Sequence, residues 1–166
     1  FRRVLFRSMK NAKLLAAMAV VAAGTITLPA MAGTTLDAVK KRDYLVCGVN
    51  TSAPGFGGAD SQGNWEGLDV NICRSVAAAV LGDAKKVKFI PLTSSQRFTA
   101  LQSGEIDVLA RNTTWTMTRD TTQGAMFVGT SYYDGQGFIV PKEYGIKSIK
   151  ELDGASICIQ SGTSTE

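Results

Sequence analysis

Between residues 44 and 110 the sequence switches repeatedly between apolar, β-rich runs and segments with helical periodicity. Strands are predicted at 44-YLVCGVN-50, 86–92 and 106–110. Helices are predicted over 68–82, where apolar residues recur at intervals of three and four, and over 95–104. Strands that alternate with helices are joined by right-handed crossovers. The sequence therefore predicts an α/β domain with a mostly parallel sheet and helices on both faces.

The periodicity also assigns individual side chains of the two predicted helices. In the first helix Gly82 is expected as the C-terminal stop, and Asp69 is expected to face solvent. In the second helix Phe98 and Leu101 are expected on the inner face, with Gly104 as the stop.

Ligands of open parallel sheets bind beyond the carboxyl ends of the strands. Loops 51–67, 92–95 and 111–119 follow the three predicted strands and are expected to converge there. The first of them is rich in Gly, Pro and Ser and is predicted to be irregular. Its 55-GFGG-58 lacks the spacing of nucleotide-binding fingerprints, so it is interpreted as a flexible loop at the mouth of a cleft.

The alternation begins again after a connection rich in glycine and tyrosine at 127–137. A strand is predicted at 137–141, a helix at 146–154 and another strand at 155–160. The last residues, 161-SGTSTE-166, are typical of the opening of a helix. We therefore expect a second α/β unit that is truncated in this sequence.

The first residues indicate export. Residues 9–32 combine a short positive start, an apolar stretch at 14–28 and 30-AMA-32, so they are predicted to be a signal peptide cleaved after Ala32. A transmembrane anchor is the alternative, but this apolar run is short and ends at Pro29. Residues 1–8 resemble an in-frame translation of a sequencing adapter and are interpreted as an artefact.

Charge and histidine content exclude several classes of function. Five of the 18 basic residues and none of the 14 acidic ones precede Gly33, so the remainder carries 13 basic against 14 acidic groups. This nearly neutral balance does not favour a nucleic-acid partner. The chain has no histidine, which excludes Ser-His-Asp and Cys-His catalysis. Without histidine or a CxxC pair, no metal site is expected.

Two smaller patterns allow alternative interpretations. Glu105 and Asp107 could form an acid–base pair, but a solvated turn is the better interpretation of their position after a glycine. Cys47 on a strand can form a disulfide with Cys73 on the following helix, which export permits, or both can be buried small side chains. If Cys47 and Cys73 are bonded to each other, Cys158 is left without a partner among the three cysteines of this sequence.

The loop 111-RNTTWTMTRD-120 carries the strongest binding pattern. Guanidinium groups form planar forks that match carboxylates, and Thr and Asn side chains add neutral hydrogen bonds. The loop could therefore hold a small anion such as a carboxylate. A surface loop with incidental hydroxyl groups is the alternative that composition leaves open.

From about Leu36 to Glu166 the sequence resembles the solute-binding proteins of polar amino-acid ABC importers, in particular the periplasmic general L-amino-acid-binding group. The resemblance rests on 44-YLVCGVN-50 with Pro54 and Phe56, 66-EGLDVNICRSVA-77, 91-PLTSSQRFTALQSGEIDVLARNTTWTMTRD-120, 132-YYDGQGFIV-140 and 151-ELDGASICIQSGTSTE-166.

The resemblance implies a type II periplasmic-binding-protein-like fold, in which two α/β lobes close over an amino acid. It implies that Arg119 binds the ligand α-carboxylate, with Asn112 and Thr114 near the α-carboxylate and α-amino groups. On the second lobe, Thr163 and Ser164 would lie at a helix start that closes over the same carboxylate. The acidic residue that completes the amino-group site in this family would lie beyond Glu166.

The resemblance also suggests a ligand class. Ser94 and Arg97 match positions that reach the distal carboxylate in relatives that bind glutamate and aspartate, so acidic or polar ligands are expected, with broad specificity as the alternative. Where many relatives have an aromatic ring over the ligand, this sequence has Ser52. Trp115 or Phe56 could replace that ring, or could belong to the core.

These inferences predict a monomeric periplasmic receptor, without cofactor or catalysis, that delivers amino acids to an inner-membrane ABC permease. The predicted boundaries are 33–132 for the first lobe, 133–136 for the hinge and 137–166 for the start of the second lobe. An exported enzyme on the same fold, of the prephenate or arogenate dehydratase type, and a sensor input domain are the alternatives.

Overall fold

The structure is a computed structural model that describes residues 33–166. The predicted signal peptide and the adapter-like residues lie outside the described residues. Thr35–Glu166 form one unit. In this unit no helix is both long enough and apolar enough to cross a membrane.

Regular structure is concentrated before residue 123. In chain order the elements are α1 (Thr34–Arg42), β1 (Leu45–Val49), β2 (Ser52–Ala53), β3 (Gly57–Ala59), β4 (Trp65–Glu66), α2 (Leu68–Leu81), β5 (Val87–Pro91), α3 (Arg97–Gln102), β6 (Val108–Leu109) and α4 (Met117–Thr122).

Strand β1 lies at the centre of a three-stranded sheet and pairs in parallel with β5 on one side and β6 on the other. All five residues of β1 are buried. A central parallel strand has both faces covered, which explains why 44-YLVCGVN-50 is continuously apolar rather than alternating. The predicted parallel sheet is confirmed.

The side chains of β1 alternate between two helical layers. Leu45, Cys47 and Val49 face α1 and α2, where they pack with buried residues of both helices: Val39, Val70, Cys73 and Ala77. Val46 faces α3, where it packs with Leu92, Ala100 and Ile106. The predicted placement of helices on both faces of the sheet is therefore confirmed.

Helix α2 has nearly the predicted bounds. It ends at Gly82, whose left-handed backbone (φ 73°) lets its N–H donate to the Ala78 carbonyl. Asp69, however, is buried rather than exposed. The periodicity placed it on the polar face, but in the first turn of α2 it points toward the carboxyl ends of the strands and accepts a backbone hydrogen bond there.

The loop 51–67 is not irregular, as predicted, but forms a small antiparallel sheet in the order β2-β3-β4. The glycines that suggested irregularity are themselves strand residues, Gly57 and Gly58, and pair with β2. Between β3 and β4 the Asp60 carboxylate accepts hydrogen bonds from the backbone N–H groups of Gln62 and Asn64 at 2.8 and 2.7 Å. This side chain closes the turn and fixes the pairing.

Helix α4 was not predicted, because 117–122 has no apolar periodicity. Its start is set by Thr116, whose hydroxyl accepts a hydrogen bond from the backbone N–H of Arg119 at 3.3 Å. The predicted loop 111–119 therefore ends in a helix that carries Arg119 in its first turn.

The secondary structure predicted for 137–160 is wrong. Instead of strand, helix and strand, this part of the chain has two 3₁₀ turns, Lys142–Tyr144 and Ile149–Leu152, in an otherwise irregular path. Isolated strands cannot satisfy their backbone groups, and no strand of the described residues pairs with 137–141 or 155–160. The boundaries proposed for two lobes and a hinge stay a prediction.

A disulfide joins the central strand to its covering helix. Cys47 of β1 and Cys73 of α2 are bonded, with their Cα atoms 6.2 Å apart and a sequence separation of 26. This confirms the pairing that the sequence allowed. Cys158 is free and exposed.

Reducing this disulfide should lower the free energy of unfolding by about 3 kcal/mol, because opening the loop restores conformational entropy to the unfolded chain. Urea denaturation with and without dithiothreitol measures the change. In the Cys158→Ser variant, which retains the disulfide, the effect of dithiothreitol should be the same. Equal stability of the oxidised and reduced protein would contradict the prediction.

Gly67 joins the small sheet to α2 at a position that admits no side chain. Its φ is 120°, and a Cβ there would lie 2.3 Å from the Phe56 carbonyl oxygen. Gly67→Ala should therefore destabilise the fold by about 2–4 kcal/mol, through backbone strain and overlap with backbone atoms.

Gly63→Ala is the matched control, because Gly63 also has a positive φ (84°) but a Cβ added there would have no atom within 4 Å. Its destabilisation should be smaller by about 2 kcal/mol, since only strain remains. Thermal and urea unfolding measure both variants, and equal losses would contradict the role given to the Phe56 contact.

Candidate functional site

A cluster of buried polar residues lies at the carboxyl ends of the three parallel strands, where the sequence predicted that loops converge. Asn50 follows β1, Leu92–Ser95 follow β5, and Arg111–Thr116 follow β6. The buried polar and charged residues of the described chain are Asn50, Asp69, Ser94, Arg97, Arg111 and Arg119. Buried polar groups carry a desolvation cost unless they are paired, so their concentration here marks a candidate site.

Arg97 is the most deeply buried of the three arginines, with 2% of its surface exposed. Its Nη2 donates to the Gly162 carbonyl at 2.9 Å and its Nη1 to the Thr113 hydroxyl at 3.3 Å. Its Nε has no hydrogen-bond partner among the described residues. The pKa of Arg97 is lowered to about 10, mainly because burial disfavours the charged form, and further by the charges of Arg119 and Arg111.

Arg119 approaches the same point from α4. Its Nη1 donates to the Thr114 carbonyl at 3.0 Å, and its Nη2 donates to the Gly162 carbonyl at 3.4 Å. Burial lowers the pKa of Arg119 as well. Two guanidinium groups, from helices α3 and α4, therefore converge on a single neutral oxygen atom. We call Arg97 and Arg119 the arginine pair.

No carboxylate of the described residues neutralises the arginine pair. The ion pairs in this part of the chain are Arg42–Asp107 and Lys86–Asp43, and neither involves a residue of the site. A buried cationic group without a counter-ion favours binding of an anion, because an anion restores the charge pairing that burial has removed.

Arg111 has a different environment. Its Nε donates to the Leu92 carbonyl at 2.7 Å and so ties the end of β6 to the end of β5. Its pKa is lowered by burial, while the nearby charge of Asp69 acts to raise it. Arg111 is thus partly compensated by a carboxylate and fixes the edge of the site.

Asp69 holds the backbone of the loop after β6. Its Oδ2 accepts a hydrogen bond from the backbone N–H of Asn112 at 2.8 Å. Burial raises the pKa of Asp69, and the Asn112 hydrogen bond and the Arg111 charge act in the opposite direction. The Asp69 carboxylate contacts a neutral N–H and not the arginine pair, so it does not offset the positive charge of the pair.

Asn112 has a left-handed backbone (φ 27°), which a residue other than glycine rarely adopts. Besides the Asp69 contact, its Oδ1 accepts a hydrogen bond from Asn50 Nδ2 at 3.0 Å. Asn50 in turn accepts from the backbone N–H of Ser52 through its own Oδ1 at 3.2 Å. These contacts fix the orientation of Asn112.

The residues 161–166 form turns against this site. The Ser164 and Thr114 hydroxyl groups lie 3.1 Å apart. Thr163 makes local contacts instead, donating to the Gln160 carbonyl at 2.7 Å and accepting from the backbone N–H of Thr165 at 3.3 Å. The helix start predicted at Thr163 and Ser164 is not formed.

Gly162 approaches the loop after β5 so closely that a Cβ would lie 2.9 Å from the Ser95 Cα. Its φ of 75° also favours glycine. This close approach brings the Gly162 carbonyl to the arginine pair. It also places Gly162 against the backbone of the buried Ser94.

The structure brings together Arg97, Arg119, Thr114 and Ser164, with Ser94 and Asn112 beside them. Trp115 is half exposed and stacks on Phe127 with the ring centroids 5.2 Å apart. Phe56 packs edge-to-face on Tyr132 at 5.0 Å. Each candidate ring for covering a ligand is thus in contact with a second aromatic ring.

Sequence reasoning missed Asn50, Asp69 and Gly162. The signal for Asn50 was its position directly after a buried strand. Asp69 opens a helix that follows a glycine, and its carboxylate could have been expected near the strand ends. For Gly162, a positive φ and a close approach leave no pattern in a single sequence.

Comparison with known proteins supports the resemblance. Residues 45–157 match the family model of the bacterial extracellular solute-binding proteins, family 3. The chain is 54% identical over 158 residues to the general L-amino acid-binding periplasmic protein AapJ of Rhizobium johnstonii, covering 95% of this chain and 46% of that protein. It is 55% identical over 146 residues to the glutamate/glutamine/aspartate/asparagine-binding protein BztA of Rhodobacter capsulatus, covering 88% and 43%.

A solved structure agrees in fold. The periplasmic binding protein of an ABC transporter from Brucella ovis, with glutathione bound, has a TM-score of 0.74 and 55% sequence identity, over 78% of this chain and 41% of that one. The chain therefore spans less than half the length of these relatives.

The α/β fold of the described residues is that of a type II periplasmic binding protein, as predicted. Family model, relatives and fold agree, and the chain belongs to the bacterial extracellular solute-binding proteins, family 3.

Proposed function

We propose that this chain belongs to a periplasmic receptor that binds L-amino acids through their carboxylate groups and delivers them to an ABC permease. The observation that supports this most directly is the arginine pair, two buried arginines whose guanidinium groups share one neutral oxygen and have no carboxylate partner among residues 33–166. The amino acids for which AapJ and BztA are named support the ligand class.

Arg119 is proposed to bind the α-carboxylate. Arg119 is 7% exposed and its guanidinium is anchored at one end by the Thr114 carbonyl, so it is held in position before a ligand arrives. A carboxylate offers two charged oxygen atoms where the Gly162 carbonyl offers one neutral oxygen, so it can accept two parallel hydrogen bonds from the guanidinium fork, which adds energy and geometric specificity.

Asn112 and Thr114 are proposed to contact the α-carboxylate and α-amino groups, with Thr163 and Ser164 closing from the other side. Asn112 Oδ1 already accepts from Asn50, so its Nδ2 is the group proposed to meet the carboxylate. The 3.1 Å contact between Thr114 and Ser164 supports the idea that hydroxyl groups from both sides meet at the ligand. Closure of two lobes about a hinge at 133–136 would complete the site.

Arg97 and Ser94 are proposed to select acidic or polar side chains. Arg97 lies beside the proposed α-carboxylate position, and its Nε has no hydrogen-bond partner in the described part of the chain, so Arg97 is proposed to pair with a second carboxylate. The name of BztA includes both glutamate and aspartate, which supports this assignment. The general L-amino-acid specificity named for AapJ supports a broader range.

We infer that the receptor is a monomer that binds without turnover. The predicted signal peptide, with cleavage after Ala32, would place it in the periplasm, as named for AapJ. Trp115 is the weaker of the proposed ligand contacts, because its ring stacks on Phe127.

Arg119→Ala should weaken binding of L-glutamate by about 3 kcal/mol, because a desolvated carboxylate loses its charged partner. Isothermal titration calorimetry measures the change. Arg74→Ala is the matched control, because Arg74 also donates to a carbonyl and lies over an aromatic ring, but on α2 away from the site. Unchanged affinity in Arg119→Ala would refute the assignment.

The variant Arg97→Gln tests whether Arg97 contacts the distal carboxylate of the ligand or its α-carboxylate. If Arg97 pairs with the distal carboxylate, the variant should lose affinity for L-glutamate by about tenfold more than for L-glutamine. Competition of each unlabelled amino acid against radiolabelled L-glutamate measures the ratio. Equal losses for both ligands would show instead that Arg97 shares the α-carboxylate with Arg119.

A further inference from the structure

We propose that Phe98 is a positioning residue that holds the arginine pair ready for its ligand. The Phe98 ring centroid lies 5.3 Å from Cζ of Arg97 and 5.4 Å from Cζ of Arg119. One aromatic ring is thus within cation–π distance of both guanidinium groups. This proposal rests on the proposed function, because it concerns the same binding site.

The arginine pair needs such a contact because its two charges repel each other. The Arg119 charge is one of the causes that lower the pKa of Arg97. Gly162 supplies one neutral carbonyl to both groups, and no carboxylate of the described residues pairs with either. The negative face of an aromatic ring attracts cations without adding a charge that would compete with an anionic ligand.

Phe98 was predicted to lie on the inner face of its helix, but it does not belong to the hydrophobic core beneath α3. The buried cluster beneath α3 consists of Val46, Leu92, Ala100 and Ile106, with Ile90, Leu101 and Leu109 packed against it, and Phe98 is not part of it. The predicted inner-face partner, Leu101, joins this cluster, whereas Phe98 is half-buried at the start of α3 beside the arginines.

A ring that contacts both guanidinium groups restricts their rotamers before a ligand binds. Arg side chains lose much rotamer freedom when they are immobilised, and preorganisation removes that loss from the binding step. Phe98 therefore acts through Arg97 and Arg119 and need not touch the ligand itself.

The variants Phe98→Leu and Phe98→Tyr test this. Leucine keeps an apolar side chain of moderate size but removes the ring, whereas tyrosine keeps the ring. We expect Phe98→Leu to lower the affinity for L-glutamate by about tenfold and Phe98→Tyr to retain it within about twofold. Calorimetry measures affinity, and thermal unfolding checks that both variants fold.

Phe89→Leu is the matched control. Phe89 is a half-buried ring 5.7 Å from Cζ of Arg74, away from the site, and its removal should leave the affinity unchanged. Loss of affinity in Phe98→Leu with retention in Phe98→Tyr and Phe89→Leu supports the proposal. Wild-type affinity in folded Phe98→Leu, or an equal loss in Phe98→Tyr, overturns it.

A second measurement separates this proposal from the proposed function. In the ligand-free protein, NMR signals of the Arg97 and Arg119 side chains should show ring-current shifts that disappear in Phe98→Leu. If the wild type does not bind L-glutamate but both shifts are present, the choice of ligand is wrong and the positioning role is supported. If the shifts are absent, the positioning role is overturned whatever the ligand.

Discussion

The parallel pairing of β1 with both β5 and β6 is the constraint on which the rest of this structure depends. Because the three strands run the same way, their carboxyl ends meet at one edge, and the loops that follow them must share that edge. Because β1 is buried on both faces, it organises both helical layers, and the Cys47–Cys73 disulfide fixes it to one of them. The sheet thus supplies a rigid base for side chains that would otherwise be mobile.

At the same edge of the sheet, buried positive charges raise the free energy of the unliganded site, which favours the proposed binding of an anion. Burial disfavours the charged state of Arg97, Arg111 and Arg119 and lowers the pKa of each, and the charges of Arg119 and Arg111 lower the pKa of Arg97 further. Asp69 opposes this shift for Arg111 but contacts a backbone N–H beside the arginine pair, not the pair itself. The sheet, the Phe98 ring and the Gly162 carbonyl together hold two cations in place, and an anion that enters between them relieves the repulsion.

How far the sequence predicts this structure depends on the range of the interaction concerned. The continuous apolar run of β1 and the periodicity of α2 are local patterns, and both elements have nearly the predicted bounds. The small sheet β2-β3-β4 was missed because Asp60 closes its turn through side-chain bonds that no periodicity records. Arg97 and Arg119 were predicted as site residues from the resemblance, but their shared partner, Gly162, lies 65 residues from Arg97 in sequence. Contacts of that range depend on the whole fold, and single residue types do not reveal them.

The Gly162 carbonyl, which Arg97 and Arg119 share, affects both the binding and the release of the proposed ligand. The arginine pair donates to the Gly162 carbonyl, so the carboxylate of the proposed ligand would exchange one acceptor for another and would not meet two unbonded cations. The net gain is then the difference between a charged and a neutral acceptor, which is smaller than the full strength of either bond. The proposed receptor must also release its ligand, and a site that satisfies its own donors after release lowers the free-energy cost of emptying. The close packing of Gly162 on Ser95, which only glycine permits, is what places that substitute acceptor within reach.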